Sequence, residues 1–214
     1  MTRQQKNELK IVQTKMQYYV KIHSKSNGFS SAVNCIYGQL GCFFIYAVFF
    51  VNKYDDNYEF VLRMNIKPYS YDDLFWRILN ADESIFLKSS LRAIGAFSCP
   101  SIEMLEKSYV FLQPESLEDV ISNAIGDFKN EANRFIKDIN NDVRSFNKYV
   151  LKQSNIPDMV LLKLIAYILE GNYSIAKQIA DEEITLERHG GYNVNGKDIY
   201  ELISEYCSDS GRLN

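Results

Sequence analysis

The chain has 214 residues, of which 46% are hydrophobic and 24% are charged, values typical of a globular protein with a full hydrophobic core. A net charge of −3 without a clustered basic face argues against a nucleic-acid partner. The longest apolar run, residues 42–51, is shorter than the roughly 20 residues of a membrane-spanning helix, and the polar start of the chain lacks the apolar core of a signal peptide. We therefore expect a cytoplasmic protein without a membrane partner.

The first part of the chain is predicted to form one helix followed by a sheet. Residues 4–25 place Leu9, Val12 and Met16 on one face, which indicates an amphipathic helix that ends before Gly28. Residues 29–66 then show the alternation of apolar and polar side chains that strands have, and the run 42–51 is expected to be buried on both faces. Strands are predicted over 29–37, 42–51, 58–66, 91–97 and 102–111, with turns at 38–41 and 52–57.

A short helix is predicted over residues 70–76, between the strands. Ser70 is expected to cap this helix through its side-chain oxygen. Asp72 and Asp73 would lie near the helix N-terminus, where the helix dipole favours negative charge.

From residue 116 onwards the apolar residues recur with a helical period. One stripe continues over 116–150, which predicts a single long helix unless Gly126 or Asn140-Asn141 breaks it. Further helices are predicted over 157–170, over 173–183 and from Lys197 or Asp198 to Cys207, with Asn155 or Ile156 near the cap of the first and fraying over 209–214.

These elements predict an α+β fold with an N-terminal helix, an antiparallel meander of about four or five strands and a C-terminal helical half. Residues 1–112 would hold the first helix and the sheet. Residues 113–214 would form helices that pack on them, so that the chain makes one continuous domain.

No catalytic or metal-binding motif is found in the sequence, so we expect no enzyme, no cofactor and no metal site. The four cysteines form no CxxC pair and are expected to be buried, reduced thiols. Of the two histidines, His23 fits a structural position near a helix end, whereas His189 lies in a glycine-flanked loop. An enzyme that uses His189 remains an alternative, and it requires a cleft with a second titrating group within hydrogen-bond reach.

Tyrosines and carboxylates occur together around the 52–57 turn and the short helix. Aromatic side chains supply contact area at low entropic cost, and carboxylates complement a basic partner. These segments are therefore predicted to bind a protein, with a tyrosine-rich core as the alternative interpretation. The predicted partner-binding residues are Tyr54, Asp55, Asp56, Tyr58, Tyr69, Tyr71, Asp72, Asp73 and Trp76.

The order of elements, together with Asn27-Gly28-Phe29, the segment 67–78, Gly171-Asn172-Tyr173 and Gly190-Gly191-Tyr192, resembles a group of small bacterial α+β immunity proteins. These proteins accompany polymorphic and contact-dependent toxins. The resemblance implies a partner that is a cognate toxin protein, neutralised when the immunity protein occludes its active site. It carries over no catalytic or binding residues, and the modest charge departs from the strongly acidic inhibitors of nucleases.

A second hypothesis is a non-toxin interaction or regulatory protein that binds its partner through the C-terminal helical hairpin. In that case, alanine changes in residues 171–192 would abolish binding, whereas changes at 54–58 would not.

Overall fold

The computed structural model describes residues 2–55, 57–153 and 157–210. It confirms the α+β fold: an N-terminal helix, a five-stranded antiparallel sheet and a helical C-terminal half. The predictions for Asp56 and for a cap at Asn155 or Ile156 lie outside the described residues. Of the predicted frayed segment 209–214, residues 209–210 belong to the last helix and the rest lies outside the described residues. No helix in the described ranges is long and apolar enough to cross a membrane.

The helices and strands have the following bounds. The strands are β1 (Ser30–Ala32), β2 (Cys35–Leu40), β3 (Phe43–Tyr54), β4 (Asn57–Pro68), β5 (Ile102–Phe111), β6 (Asn193–Val194) and β7 (Lys197–Asp198). The helices are α1 (Arg3–Ser26), α2 (Tyr69–Ile78), α3 (Leu91–Ile94), α4 (Leu117–Asp138), α5 (Val143–Lys152), α6 (Pro157–Leu169), α7 (Tyr173–Thr185) and α8 (Ile199–Ser210).

The chain divides into two compact units. Unit 1 contains the described residues up to Ile66 together with Ile102–Asp138, and unit 2 contains Lys67–Ser101 together with the described residues from Ile139 onwards. Each unit draws on both halves of the chain, so the compact units do not follow the sequence-based division at residue 113.

Unit 1 is built on the sheet, in which the strands follow the order β1-β2-β3-β4-β5. Helix α1 buries Val12, Met16 and Val20 and packs against α4 and β3. The predicted buried face of β4 is confirmed, since Phe60, Leu62, Met64 and Ile66 are fully buried. The predicted water-facing side is confirmed only in part, because Val61 and Asn65 on it are buried as well. Strand β3 differs from its prediction, since beyond Ile45 only alternate side chains are fully buried.

The predicted strand over 29–37 is wrong, because the chain turns at Val33-Asn34 and forms the β1–β2 hairpin. The predicted turn at 38–41 is also displaced, since residues 38–40 belong to β2. Gly38 serves close packing: a Cβ on it would lie 2.7 Å from the Cδ1 atom of Phe29. A glycine can lie in a strand where a neighbouring ring leaves no room for a side chain. The sequence pattern had instead predicted a turn at this glycine.

Unit 2 is mainly helical. Helix α2 contacts α6 and α8, while α5, α6, α7 and α8 pack in sequence order. The predicted strand over 91–97 is wrong, because 91–94 form the short helix α3. The predicted Ser70 cap is wrong too: Pro68 occupies the cap position, and the Ser70 hydroxyl has no hydrogen-bond partner.

The apolar stripe over 116–150 is divided between two helices. Of the two predicted breaks, Gly126 and Asn140-Asn141, the second is the one observed. Asn140 and Asn141 both adopt positive φ angles, which end α4. Asp142 then caps α5 by accepting a hydrogen bond of 2.8 Å from the backbone N–H of Ser145. Gly126 remains inside α4.

The four cysteines are free thiols, as expected, but only three are buried. Cys42 is exposed, since it lies in the turn between β2 and β3. Burial raises the pKa of the Cys35 thiol to about 12 and that of Cys207 to about 11. These two thiols therefore stay protonated and behave as small apolar side chains.

Candidate protein-binding surface

The predicted partner-binding residues near the 52–57 turn belong to unit 1 and are only partly at the surface. Tyr54 and Asp55 are exposed, and Asp55 adopts a positive φ of 43°. Tyr58 is buried, where its ring stacks on Phe111 and its hydroxyl accepts a hydrogen bond of 3.1 Å from Lys53. Tyr58 therefore offers no surface to a partner, and Asp56 lies outside the described residues.

The predicted residues on α2 belong to unit 2, and most of them point inward. Tyr71, Asp72 and Trp76 are buried, while Tyr69 and Asp73 are half-buried. The Tyr71 hydroxyl donates a hydrogen bond of 3.0 Å to the side chain of Asn147. The three buried side chains cannot touch a partner in this conformation, which corrects the prediction that they form a contact surface. The partner-binding role of the α2 region stays a prediction.

Lys67, Asp72, Asp73 and Arg92 form a buried cluster of alternating charge, which we call the anchor cluster. Asp72 accepts hydrogen bonds of 2.7 Å from Lys67 and 2.9 Å from the backbone N–H of Cys99. Arg92 donates to Asp73 at 2.8 Å and to Asp72 at 3.4 Å. Burial raises the pKa of Asp72, and the neighbouring Lys67 opposes that rise. Each charge is paired, as burial of ionised side chains requires.

Aromatic side chains enclose this cluster and extend it. The Arg92 guanidinium lies 4.6 Å from the ring centres of both Tyr69 and Trp76, within the range of cation–π interaction. The Trp76 indole N–H donates a hydrogen bond of 2.7 Å to the carbonyl of Phe97. Lys67 donates another, of 2.6 Å, to the carbonyl of Cys99. The tyrosine, tryptophan and carboxylate side chains of α2 thus hold the segment that follows the helix.

That segment, residues 82–97, carries several exposed apolar side chains, and we call it the apolar loop. Phe86 is 88% exposed, Leu87 is 57% exposed, and Ile94 and Phe97 are each exposed over somewhat less than half of their surface. Large apolar side chains in one exposed segment commonly mark a protein-binding surface. Ile85-Phe86-Leu87 is an apolar run that fits neither a helix nor a strand pattern, so periodicity did not predict this exposed surface.

Unit 2 also contains a cleft of about 810 Å³, lined by residues that include Glu183, Arg188, Tyr192 and Tyr200. Ala96 of the apolar loop contributes to the same lining, so loop and cleft are continuous. Glu183 has only 10% of its side chain exposed and accepts hydrogen bonds from Arg188.

His189 lies at this cleft, but without the partner that the enzyme hypothesis required. Its side chain is 83% exposed, and its Nδ1 atom lies 3.9 Å from the Asp198 carboxylate, beyond hydrogen-bond distance. Asp198 instead accepts hydrogen bonds from the backbone N–H groups of Gly190 and Tyr200, at 3.1 and 3.0 Å. Its carboxylate therefore orders the loop and the first turn of α8.

No group of three or more metal-ligating side chains comes together within the described ranges. Comparison with known proteins finds no matching family model, no matching curated protein and no matching solved structure. The exposed surfaces of the two units are therefore the features that bear on function.

Proposed function

We propose that the chain is an immunity protein that binds a cognate bacterial toxin in the cytoplasm and neutralises it by covering its active site. The observation that supports protein binding is the apolar loop, in which Phe86 is 88% exposed and Arg92 joins the loop to the buried ion pairs of α2. The resemblance in element order to bacterial immunity proteins supports the toxin as the class of partner.

The free energy available from burying the exposed apolar side chains of the loop favours a binding role over a purely structural one. Full burial of a phenylalanine or leucine side chain stabilises by about 1.5–3 kcal/mol, which Phe86 and Leu87 forgo in the free protein. The anchor cluster and Trp76 hold the C-terminal part of the loop through Arg92 and the Phe97 carbonyl, so less conformational entropy is lost there when a partner arrives. Such preorganised aromatic anchors commonly dominate the affinity of protein interfaces.

Occlusion is the mechanism that suits this surface. Asp82, Glu83 and Lys88 flank the apolar side chains in the sequence and would form a polar rim around a dry contact. A rigid surface of this kind can cover an active site without taking part in its chemistry. This mechanism needs no catalytic residue from the immunity protein.

Co-expression with the product of each adjacent gene tests this proposal. We expect one of those products to arrest growth alone, and to be tolerated and to co-purify when this chain is present. Absence of any toxic product and of any stable complex would contradict the immunity role.

A second candidate is a regulatory protein that binds through α7. A groove of about 710 Å³ follows the outer face of this helix, lined by residues that include Lys177, Glu182 and Leu186. Alanine changes at Glu182 and Leu186 would abolish partner binding under this hypothesis. Under the immunity proposal they would leave it unchanged.

A further inference from the structure

We infer that the cleft beside the apolar loop receives an arginine side chain of the partner, held by the Glu183 carboxylate. This inference deepens the proposed function, since it names the chemistry that the partner presents next to the loop.

The first step is the burial of Glu183. A carboxylate with 10% of its side chain exposed is costly unless a cation or several hydrogen-bond donors face it. The cation in this structure is Arg188, whose Nη1 donates to the two carboxylate oxygens at 3.1 and 3.4 Å. The Glu183 carboxylate is therefore already placed to hold a guanidinium group.

The second step is the exposure of Arg188. Its side chain is 56% exposed, although the carboxylate that it contacts is buried. A surface arginine of this kind loses little on leaving, because water can solvate it again. A guanidinium group from a partner can thus replace Arg188 on Glu183.

The third step is the shape of the cleft. Tyr192 and Tyr200 line it, and an arginine side chain packs well beside aromatic residues and a carboxylate. Gly190 forms a close-packed wall, since a Cβ there would lie 2.2 Å from the Cγ2 atom of Ile199. Burial raises the pKa of Tyr200 to about 12, and the negative charge of Glu183 adds to the rise. The phenol therefore remains neutral. Arg188 balances the charge of Glu183 in the free protein, so the lining offers a carboxylate to a second guanidinium group once Arg188 leaves.

The experiment measures binding of the capped tripeptide Gly-Arg-Gly by NMR, from the amide shifts of Gly190 and Gly191. We expect Arg188→Ala to bind at least about tenfold more tightly than the wild-type chain, because the competing guanidinium is removed. Adding Glu183→Gln to that variant should abolish the gain. Arg188→Gln replaces Arg188→Ala if the latter does not fold, as judged by circular dichroism.

The matched control is Glu182→Gln in the Arg188→Ala background. Glu182 precedes Glu183 on α7 but is exposed and bonded to Gln178, so this change should leave the affinity unaltered. The inference is overturned if Arg188→Ala gives no gain, if the gain survives Glu183→Gln, or if Gly-Lys-Gly binds as tightly. The test uses only this chain and a peptide, so its failure is distinct from a failure of growth rescue by the immunity protein.

Discussion

Arg92 fastens the apolar loop to α2, so replacing it with methionine should loosen the loop. The guanidinium donates hydrogen bonds to Asp72, to Asp73 and to the carbonyl of Tyr69. Removing one partner of a buried ion pair costs about 3–5 kcal/mol. Asp72 keeps Lys67 at 2.7 Å, and Asp73 is one third exposed, so both carboxylates retain part of their stabilisation.

We therefore expect Arg92→Met to lower the free energy of unfolding by about 3 kcal/mol, or the melting temperature by about 6–12 °C. Hydrogen exchange should accelerate most at the amides of the apolar loop and at Cys99. The assay is denaturant unfolding combined with hydrogen exchange read by mass spectrometry.

Arg77→Met is the matched control, an arginine on α2 that is exposed. Arg77 is 61% exposed and approaches Asp82 only to 3.8 Å, so its loss should cost under about 0.5 kcal/mol. If the two variants lose equal stability, or if exchange in the loop is unchanged by Arg92→Met, the anchor cluster does not hold the loop.

Three further predictions test other parts of the fold. Gly126→Ala should stabilise the chain by about 0.5–1 kcal/mol, because the new Cβ meets nothing within 4 Å; a lower melting temperature would contradict this. Asn147→Leu should cost about 1–3 kcal/mol in denaturant unfolding, because the Tyr71 hydroxyl loses its acceptor; an unchanged midpoint would refute it. Lys107 lowers the pKa of Asp127, so its ion pair stabilises the fold above the ordinary Asp value of 3.8 and is lost as pH falls through the lower folded pKa. Asp127→Asn should weaken the acid dependence of stability in that range, and an identical pH profile would count against the pair.

Local patterns in the sequence were sufficient for most of the secondary structure. Helix α1 was predicted because it buries one face, and β4 because its apolar side chains alternate along the strand, so each shows a direct periodic pattern. The pattern failed over 91–97, where the inward residue is the charged Arg92 and the apolar residues Ile94 and Phe97 point outward. Periodicity cannot reveal an element whose polar residue is the buried one.

The candidate site was harder to predict for a related reason. Tyrosines next to carboxylates are typical of a binding surface and equally of a buried ionic cluster. Which of the two forms depends on Arg92 and Cys99, which follow Asp72 by 20 and 27 residues and contact it only in the folded chain. The sequence therefore indicated α2 as a special segment but not the apolar loop that it supports.

The central claim is tested most directly by growth rescue with two surface variants, measured against the toxic gene product that co-expression identifies. Phe86→Ser removes the most exposed apolar anchor of the loop in unit 2, and Tyr18→Ser removes an exposed aromatic side chain of α1 in unit 1. Both variants should fold with wild-type stability, because neither side chain is buried. We predict that Phe86→Ser fails to protect cells and releases the partner, whereas Tyr18→Ser protects. Full protection by Phe86→Ser would contradict the account.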